Sequence, residues 1–521
     1  MKVHRQTNGP VISGGMPLGN GETTALAFPL APVNGSNFSL VPAPFILQNS
    51  LSFFVSMTTA MASDTSPFKL GMVSLVTDPP LFGAELHSFE QRLDMEIATL
   101  TVRASSSGGL TLSARVFVDA NSNTISATLN TSAPVQLSVQ VQSVHPNSSF
   151  AYGGGFIDWA GHSVPERSGP DIFEGQDTAG EGRVVISHRN EDTDFPAAFN
   201  YTLKQQGLSE LIPLLQSSDR WRHRQFGLML SGTAATAAAA AVPLRRLNDS
   251  ALVSARPSAQ FEVVVSTHAN VTSTREDWLA QLTAQHDAAV GAAAGEEDEA
   301  AAAATAAAGF QREVAHADWW AQFWNRSHII ALTPEDADPA ASAAAQAVTK
   351  TYAATRYVQA IQTRTWVPIK FNGELFTATL PPETASSGPS YRQWGANSWW
   401  QNTRLPYWSM APAADFENFA SLFEFFLQTL PFNSRRTQIY FNHSGIFYTE
   451  TKTLFGSYSV AGYGNGGGKT DRPPNLPVYR EQCSAMNYDF GGDAGGPEVS
   501  CLDEDSCLMT LAFIVTSCFR R

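Results

Sequence analysis

Val135, Leu137, Val139 and Val141 alternate with polar residues. A period of two lays one apolar face and one wet face along a strand. The runs 100–104 and 110–118 flank Ser105-Ser106-Ser107-Gly108-Gly109 and read as a hairpin, and 261–265 reads as a further strand. Many strands at short spacing, with turn signals between them, predict an antiparallel β-sandwich over residues 1–275. Within it, Ala234–Ala241 is a low-complexity patch that reads as a loop expansion.

The pattern changes at Trp278, where Trp278, Leu279 and Leu282 open a helix. The Ala/Glu run 288–308 has no large side chain to bury and reads as an insertion. Trp319 with Phe323, and Trp320 with Trp324, lie four apart, which puts aromatic pairs on the flank of one helix. Residues 276–339 are therefore read as a helical linker. Helices are expected from 340 onward. Phe416, Phe419, Ala420, Phe423, Phe426, Leu427 and Leu430 step by three and four, predicting one broad apolar stripe with Asp415 as N-cap. Between the helices lies 364–412, rich in Trp, Asn, Gly and Pro, a long connection of the kind that carries function.

The chain of 521 residues exceeds what one core supports, so a multidomain β + α protein is expected. Its formal net charge of −14 leaves no basic stripe for nucleic acid and disfavours an anionic membrane surface. No stretch reaches the ~20 apolar residues of a membrane helix. The polar opening, MKVHRQTNGP, does not read as a signal peptide. Nine Asn-X-Ser/Thr sequons, at Asn34, Asn37, Asn130, Asn147, Asn200, Asn248, Asn270, Asn325 and Asn442, nevertheless lean toward a secreted or lumenal glycoprotein. Cys483, Cys501, Cys507 and Cys518 all lie near the C-terminus. One or two disulfides and free thiols both remain open, and the spacing fits no zinc pattern. The histidines show no metal spacing, so neither metal nor cofactor is expected. The sequence does not specify an oligomeric state.

Eight of the eleven tryptophans fall between 319 and 408. Sugars present flat C–H faces to aromatic rings and hydroxyls to amides, carboxylates and guanidinium groups. The stretch Trp399-Trp400-Gln401-Asn402-Thr403-Arg404-Leu405-Pro406-Tyr407-Trp408 mixes both kinds of group. The rings could simply fill an interior. The interleaved amides favour a site, because a core does not bury so many polar groups without partners. Trp394, Trp399, Trp400, Gln401, Arg404, Trp408, Asn372 and Lys370 are the candidate substrate-binding residues. Lys370 and Arg404 could hold sugar hydroxyls or a carboxylate, or pair with a glutamate.

Four motifs carry a resemblance: Met16-Pro17-Leu18-Gly19-Asn20-Gly21, Phe323-Trp324-Asn325-Arg326-Ser327, Pro368-Ile369-Lys370-Phe371-Asn372-Gly373, and Trp394-Gly395 through Trp408. Tyr448-Thr449-Glu450-Thr451 and Gly495-Gly496-Pro497-Glu498 add to it. On these motifs the chain resembles an uncharacterised family of six-hairpin glycosidases related to glycoside hydrolase family 95, which includes α-L-fucosidases. The resemblance implies a supersandwich followed by an (α/α)6 barrel, and inverting hydrolysis of a glycosidic bond. It implies a water-positioning role for Asn402. The family's other positioning Asn aligns with Trp400, a departure. Glu450 and Glu498 are the carboxylates left for acid/base work, which in inverting enzymes stand roughly 6.5–9.5 Å apart.

Twelve helices complete such a barrel, and 340–521 can hold roughly half of them. A partial barrel and a C-terminally truncated chain are therefore expected. The leading expectation is a glycoside hydrolase. A non-catalytic carbohydrate-binding protein or inactive pseudoenzyme is the second, and a structural sandwich protein with a helical appendage the third.

Overall fold

The computed structural model describes residues 2–5, 15–30, 49–61, 67–145, 170–175, 178, 181–190, 203, 207–217, 219–235, 241–291, 299–369, 374–376, 390, 398–442, 444–446, 448, 451–452 and 454–456. The strands are β1 (Lys2–Arg5), β2 (Met16–Gly19), β3 (Thr23–Leu30), β4 (Ser50–Met61), β5 (Pro67–Asp78), β6 (Leu86–Asp94), β7 (Thr99–Ser106), β8 (Thr111–Val118), β9 (Thr124–Gln142), β10 (Ile172–Phe173), β11 (Val184–Arg189), β12 (Arg224–Ala235), β13 (Ala241–Pro243), β14 (Arg245–Asn248), β15 (Ala251–Val253), β16 (Ser258–Val271), β17 (Ser398–Trp399) and β18 (Thr451–Lys452). The helices are α1 (Ile212–Ser217), α2 (Arg275–Val290), α3 (Glu299–Arg326), α4 (Pro339–Ala360), α5 (Trp400–Thr403), α6 (Phe416–Leu427) and α7 (Leu430–Phe441).

Two antiparallel layers share one strand. The first runs β1-β6-β7-β8-β9-β16-β12-β11-β10 and the second β2-β3-β4-β5-β9-β15-β14. Strand β9 belongs to both. Its first half pairs β8 and β16, with Ile125 opposite Val118 and Val265, and its second half pairs β5 and β15, with Val139 opposite Leu75 and Leu252. The change of sheet falls at Ser132-Ala133-Pro134, all exposed. Pro134 has no N–H to give to either ladder, so the strand can bend there. The inner faces of both layers meet in one core, in which Leu18, Phe53 and Val73 join Val102, Ile125, Leu228 and Val263. The Ser-Gly-rich turn joins β7 to β8 in register, Ala104 opposite Leu112. Of the alanine-rich patch, Ala234 and Ala235 extend β12 and Ala241 opens β13, which pairs back on them.

The strand-to-helix change lies between Val271 and Arg275. Thr274 caps α2 through a reciprocal box with Asp277 (Asp277 N–H to Thr274 Oγ1, 3.1 Å), and Gly291 closes it in the left-handed region. The Ala/Glu run contributes the end of α2 and the start of α3. Trp319 stacks on Phe323 at 5.6 Å and Trp320 on Trp324 at 6.3 Å, as the four-residue spacing predicts. Helix α3 is pinned to the sandwich by His316. Its Nδ1 accepts the Ala120 N–H at 3.1 Å and its Nε2 donates to the Ile97 carbonyl at 2.9 Å.

Helix α6 departs from the predicted stripe. It buries Asn418, Ser421, Leu422, Phe425 and Phe426, while Phe416 is 62% exposed and Ala420 is also exposed. Polar pairing selects this face: Asn418 donates to Thr363 Oγ1 at 2.9 Å, and Ser421 lies 2.8 Å from the Tyr407 hydroxyl. Asp415 stands at the N-cap position but makes no side-chain cap bond. Its carboxylate instead receives Arg356 Nε and Nη2 at 2.6 and 2.7 Å, a bidentate pair stronger than a cap.

The Met16–Gly21 motif is the socket for the start of the helical region. A Cβ on Gly19 would meet the Ile361 carbonyl at 2.5 Å, and one on Gly21, at φ +99°, would meet the Arg364 side chain at 2.4 Å. Arg364 fills the socket by donating to the Asn20 and Ala120 carbonyls at 2.9 and 2.5 Å and to Glu417 at 2.7 Å. Gly21→Ala combines backbone strain with overpacking and is expected to cost about 2–3 kcal/mol. A urea midpoint unchanged from wild type would refute that seat.

Candidate functional site

The Arg364 anchor fixes where the chain enters the aromatic segment. Val367 and Ile369 bury in a second core with Leu211, Trp221, Tyr407, Met410, Leu422, Phe425, Phe426, Phe432 and Phe455. The Tyr407 hydroxyl accepts the Ile369 N–H at 2.7 Å, tying 367–369 to the 398–410 stretch. Strand β17 pairs with β18, Trp399 opposite Thr451, so the segment around Lys452 lies against the Trp399-Trp400 pair.

Lys370, Asn372, Trp394, Glu450 and Glu498 lie outside the described residues, as do the four cysteines, and only the backbones of Trp399 and Gln401 are described. Four candidates can be placed in full. Trp400 is half-buried, edge-on to Phe426 at 5.4 Å, and packs against the second core. Trp408 is 65% exposed, a large fraction for a tryptophan. The Arg404 guanidinium carbon sits 6.0 Å from the Trp400 ring and 5.5 Å from the Trp408 ring. Asn402, also half-buried, is on α5 between them in sequence. The residues 400–408 thus run from a ring held by the core, through a guanidinium, to an exposed ring. The first ring belongs to the packing, Arg404 is half-buried, and Trp408 is the exposed member.

Beneath this surface is a buried cation that the sequence did not announce. Lys452 is 1% exposed. Its ammonium lies 3.5 Å from the Phe425 ring centre and 4.5 Å from that of Phe426, and it donates to the Phe425 carbonyl. Burial, then Arg436, pushes its pKa well down, and no carboxylate pairs with it among the described residues. Tyr448 closes the same side, its hydroxyl donating to the Phe426 carbonyl at 2.9 Å and its pKa pushed up to about 12 by burial.

A second group missed from sequence joins the sandwich to the helical region. Ser390 Oγ is 3.0 Å from His145 Nε2, His145 Nδ1 is 3.5 Å from Asp171 Oδ2, and His188 Nδ1 is 3.2 Å from Asp171 Oδ1. Burial drives the His145 pKa down, against the pull of Asp171. Burial would raise Asp171, but its histidine contacts outweigh that and hold it at about 2. The order serine, histidine, aspartate is that of an acyl-transfer triad. Access decides against that chemistry. Ser390, His145 and Asp171 are almost fully buried, Phe68 lies 3.7 Å ring-to-ring on His145, and the Ser390 hydroxyl accepts the Lys69 N–H at 3.0 Å. The cluster is a clasp between the two parts of the chain. No signal could have found it, since its members are up to 245 residues apart.

At the sandwich edge, Trp366 is half-buried under two guanidinium groups, Arg220 at 5.2 Å and Arg224 at 5.4 Å. Burial lowers Arg224 to about 10, against the partial support of Glu22. Beside Arg220 a cavity of about 50 Å³ is lined by Leu214, Gln428, Thr429, Phe432 and Leu454. That volume is far below the ~300 Å³ at which pockets begin to enclose a drug-sized ligand. Among the described residues no group of His, Cys, Asp and Glu could hold a metal ion. No helix among them is long and apolar enough to cross a membrane.

A family model described as "Domain of unknown function (DUF5703)" matches residues 46–329, more than half of the chain. Comparison with curated proteins returns no match. Among solved structures, an assigned kojibiose phosphorylase from the human microbiome is similar at 9% identity and TM-score 0.46, over 94% of this chain and 55% of that one. A bacterial glucoamylase in complex with acarbose is similar at 9% identity and TM-score 0.33, over 88% of this chain and 56% of that one. The chain thus spans little more than half the length of either. At these values the likeness bears on neither activity nor ligand.

Proposed function

The chain belongs to the DUF5703 family, a domain of unknown function, and from that premise we propose that it handles carbohydrate, binding a glycan on the surface formed by residues 400–408. The observation that carries this reading is the exposed Trp408 ring with Arg404 beside it, standing on a Trp400 held by the core. An exposed ring next to a guanidinium offers a saccharide its two needs, an apolar face and a fork of donors. Asn402 supplies an amide on the same short helix.

We further propose that the activity is inverting glycoside hydrolysis on a partial (α/α) barrel, with Glu450 and Glu498 as acid and base. Non-catalytic glycan binding is the alternative, favoured by the half-buried Trp400 where the resemblance expects an amide. An oligosaccharide panel followed by proton NMR separates the two. Hydrolysis should release the inverted anomer and be abolished by Glu450→Gln with affinity kept. Binding without turnover leaves the alternative. Arg404→Ala should weaken binding about tenfold in either case, and unchanged affinity would remove Arg404 from the site.

Secretion is proposed on the sequons. All five whose asparagine is described, Asn130, Asn248, Asn270, Asn325 and Asn442, are exposed. Protein isolated from its source should lose mass on treatment with peptide N-glycosidase. An unmodified polypeptide mass would contradict this.

A further inference from the structure

The small cavity beside Arg220 lies between α1 with the turn that follows it and the α6–α7 junction. Two of its walls present donors. The exposed Arg220 lies over the Trp366 ring and forms no ion pair among the described residues, and the Gln428 Nε2 amide is shut off from water with no hydrogen-bond partner among them. Two other polar groups nearby, Thr429 and Glu22, are committed. Thr429 Oγ1 donates to the Phe426 carbonyl at 3.0 Å. Asp219, adjacent in sequence, turns Oδ1 onto its own backbone, accepting the Trp221 and Arg222 N–H groups at 2.8 and 3.1 Å, while its Oδ2 is buried with no hydrogen-bond partner among the described residues. Glu22 is engaged by Thr59 and Asn123 at 3.0 and 2.9 Å. Behind Arg220 stands the buried guanidinium of Arg224, so positive charge accumulates on this wall.

A buried donor left unmade costs stability, and paired guanidinium groups repel. An oxyanion between Arg220 and Gln428 answers both. The space, about 50 Å³, suits a planar two-oxygen head group better than a sugar ring. A guanidinium fork with one amide matches a carboxylate, whose two oxygens it can fill.

We propose that this cavity is a carboxylate-binding site and that the carboxylate belongs to an acidic saccharide. The saccharide part rests on the carbohydrate reading above; the carboxylate part does not. The ring of such a ligand stays outside the cavity, beside the half-buried Trp366.

The test is calorimetric titration of the full chain with glucuronate, glucose and acetate, for wild type, Arg220→Gln and Gln428→Leu. Arg220→Lys serves as the conservative variant, and circular dichroism checks each fold. Glucuronate should bind and glucose should not compete with it. Both variants should weaken glucuronate by roughly tenfold or more, with lysine recovering part of the loss. Added salt should weaken it too. No glucuronate binding, or equal binding by wild type and both variants, overturns the site. Acetate binding as tightly as glucuronate overturns the saccharide assignment while leaving binding at Trp408 untouched. Neutral-glycan binding unchanged in Trp408 variants, with glucuronate retained, would count only against the earlier reading.

Discussion

Asp415→Asn is expected to lower stability by about 3–5 kcal/mol, because it leaves a buried guanidinium without its counter-charge. Both partners are nearly inaccessible, with side-chain exposures of 3% for Arg356 and 2% for Asp415. The pair is bidentate at 2.6 and 2.7 Å, and Arg326 adds a third contact at 3.2 Å. Arg356 also donates to the Phe323 carbonyl at 2.8 Å and to the Ser327 carbonyl. One carboxylate therefore ties together the end of α3, the body of α4 and the start of α6. The carbonyls and the Phe323 ring, 4.2 Å from the guanidinium carbon, cushion the loss and favour the lower half of the range. The double variant Asp415→Asn with Arg356→Met should recover part of it, since removing both charges is cheaper than stranding one. Urea unfolding checks this. A single-variant loss below about 1 kcal/mol would show the pair to be a surface-like contact.

Acidification should cost the protein roughly 4–5 kcal/mol through His286 alone. His286 is fully buried on α2, with Nδ1 2.9 Å from Ser266 Oγ and Nε2 2.7 Å from Ser231 Oγ. Burial, then Arg183 and Arg312, pushes its pKa from 6.5 down to about 3. The folded value lies below the unfolded one, so the unfolded chain takes the proton first as pH falls. The stability is complete above about pH 6.5 and drains between there and about pH 3. Burial pushes His145 and His316 the same way. In His286→Gln the dependence of stability on pH should flatten by up to ~1.4 kcal/mol per pH unit across that window. Identical slopes for the two proteins would mean that His286 titrates normally.

The parts of this fold that were legible obey local rules. Alternation along β9, the Ser-Gly turn between β7 and β8 and the Trp319–Trp324 aromatic pairs each depend on neighbours within a few residues, and each is found in place. What was hidden depends on distant partners. The period of two is the same on both sides of Pro134, so it could not reveal that β9 changes sheets. Asp415 before an apolar run reads as a cap, and Arg356, 59 residues away, together with Arg326, gives it another task. The face of α6 followed Asn418 and Ser421 because Thr363 and Tyr407 wait for them, against the pull of Phe416 and Phe423. The candidate site was half legible. The cluster of rings and amides near 400 marked the place, but composition could not tell that Trp400 serves the core while Trp408 faces outward. The Gln428 amide and the Arg220 guanidinium carried no sequence signal at all, since only folding brings them to one cavity.

The surface around Trp408 is most directly tested by titrating the intact protein with a panel of neutral oligosaccharides, beside Trp408→Ala. Because the ring is exposed, its loss should leave the unfolding midpoint unchanged while affinity for the bound glycan drops by tenfold or more, roughly what one lost aromatic contact is worth. Glycan affinity equal in the two proteins, or no glycan bound by wild type at all, would contradict the account.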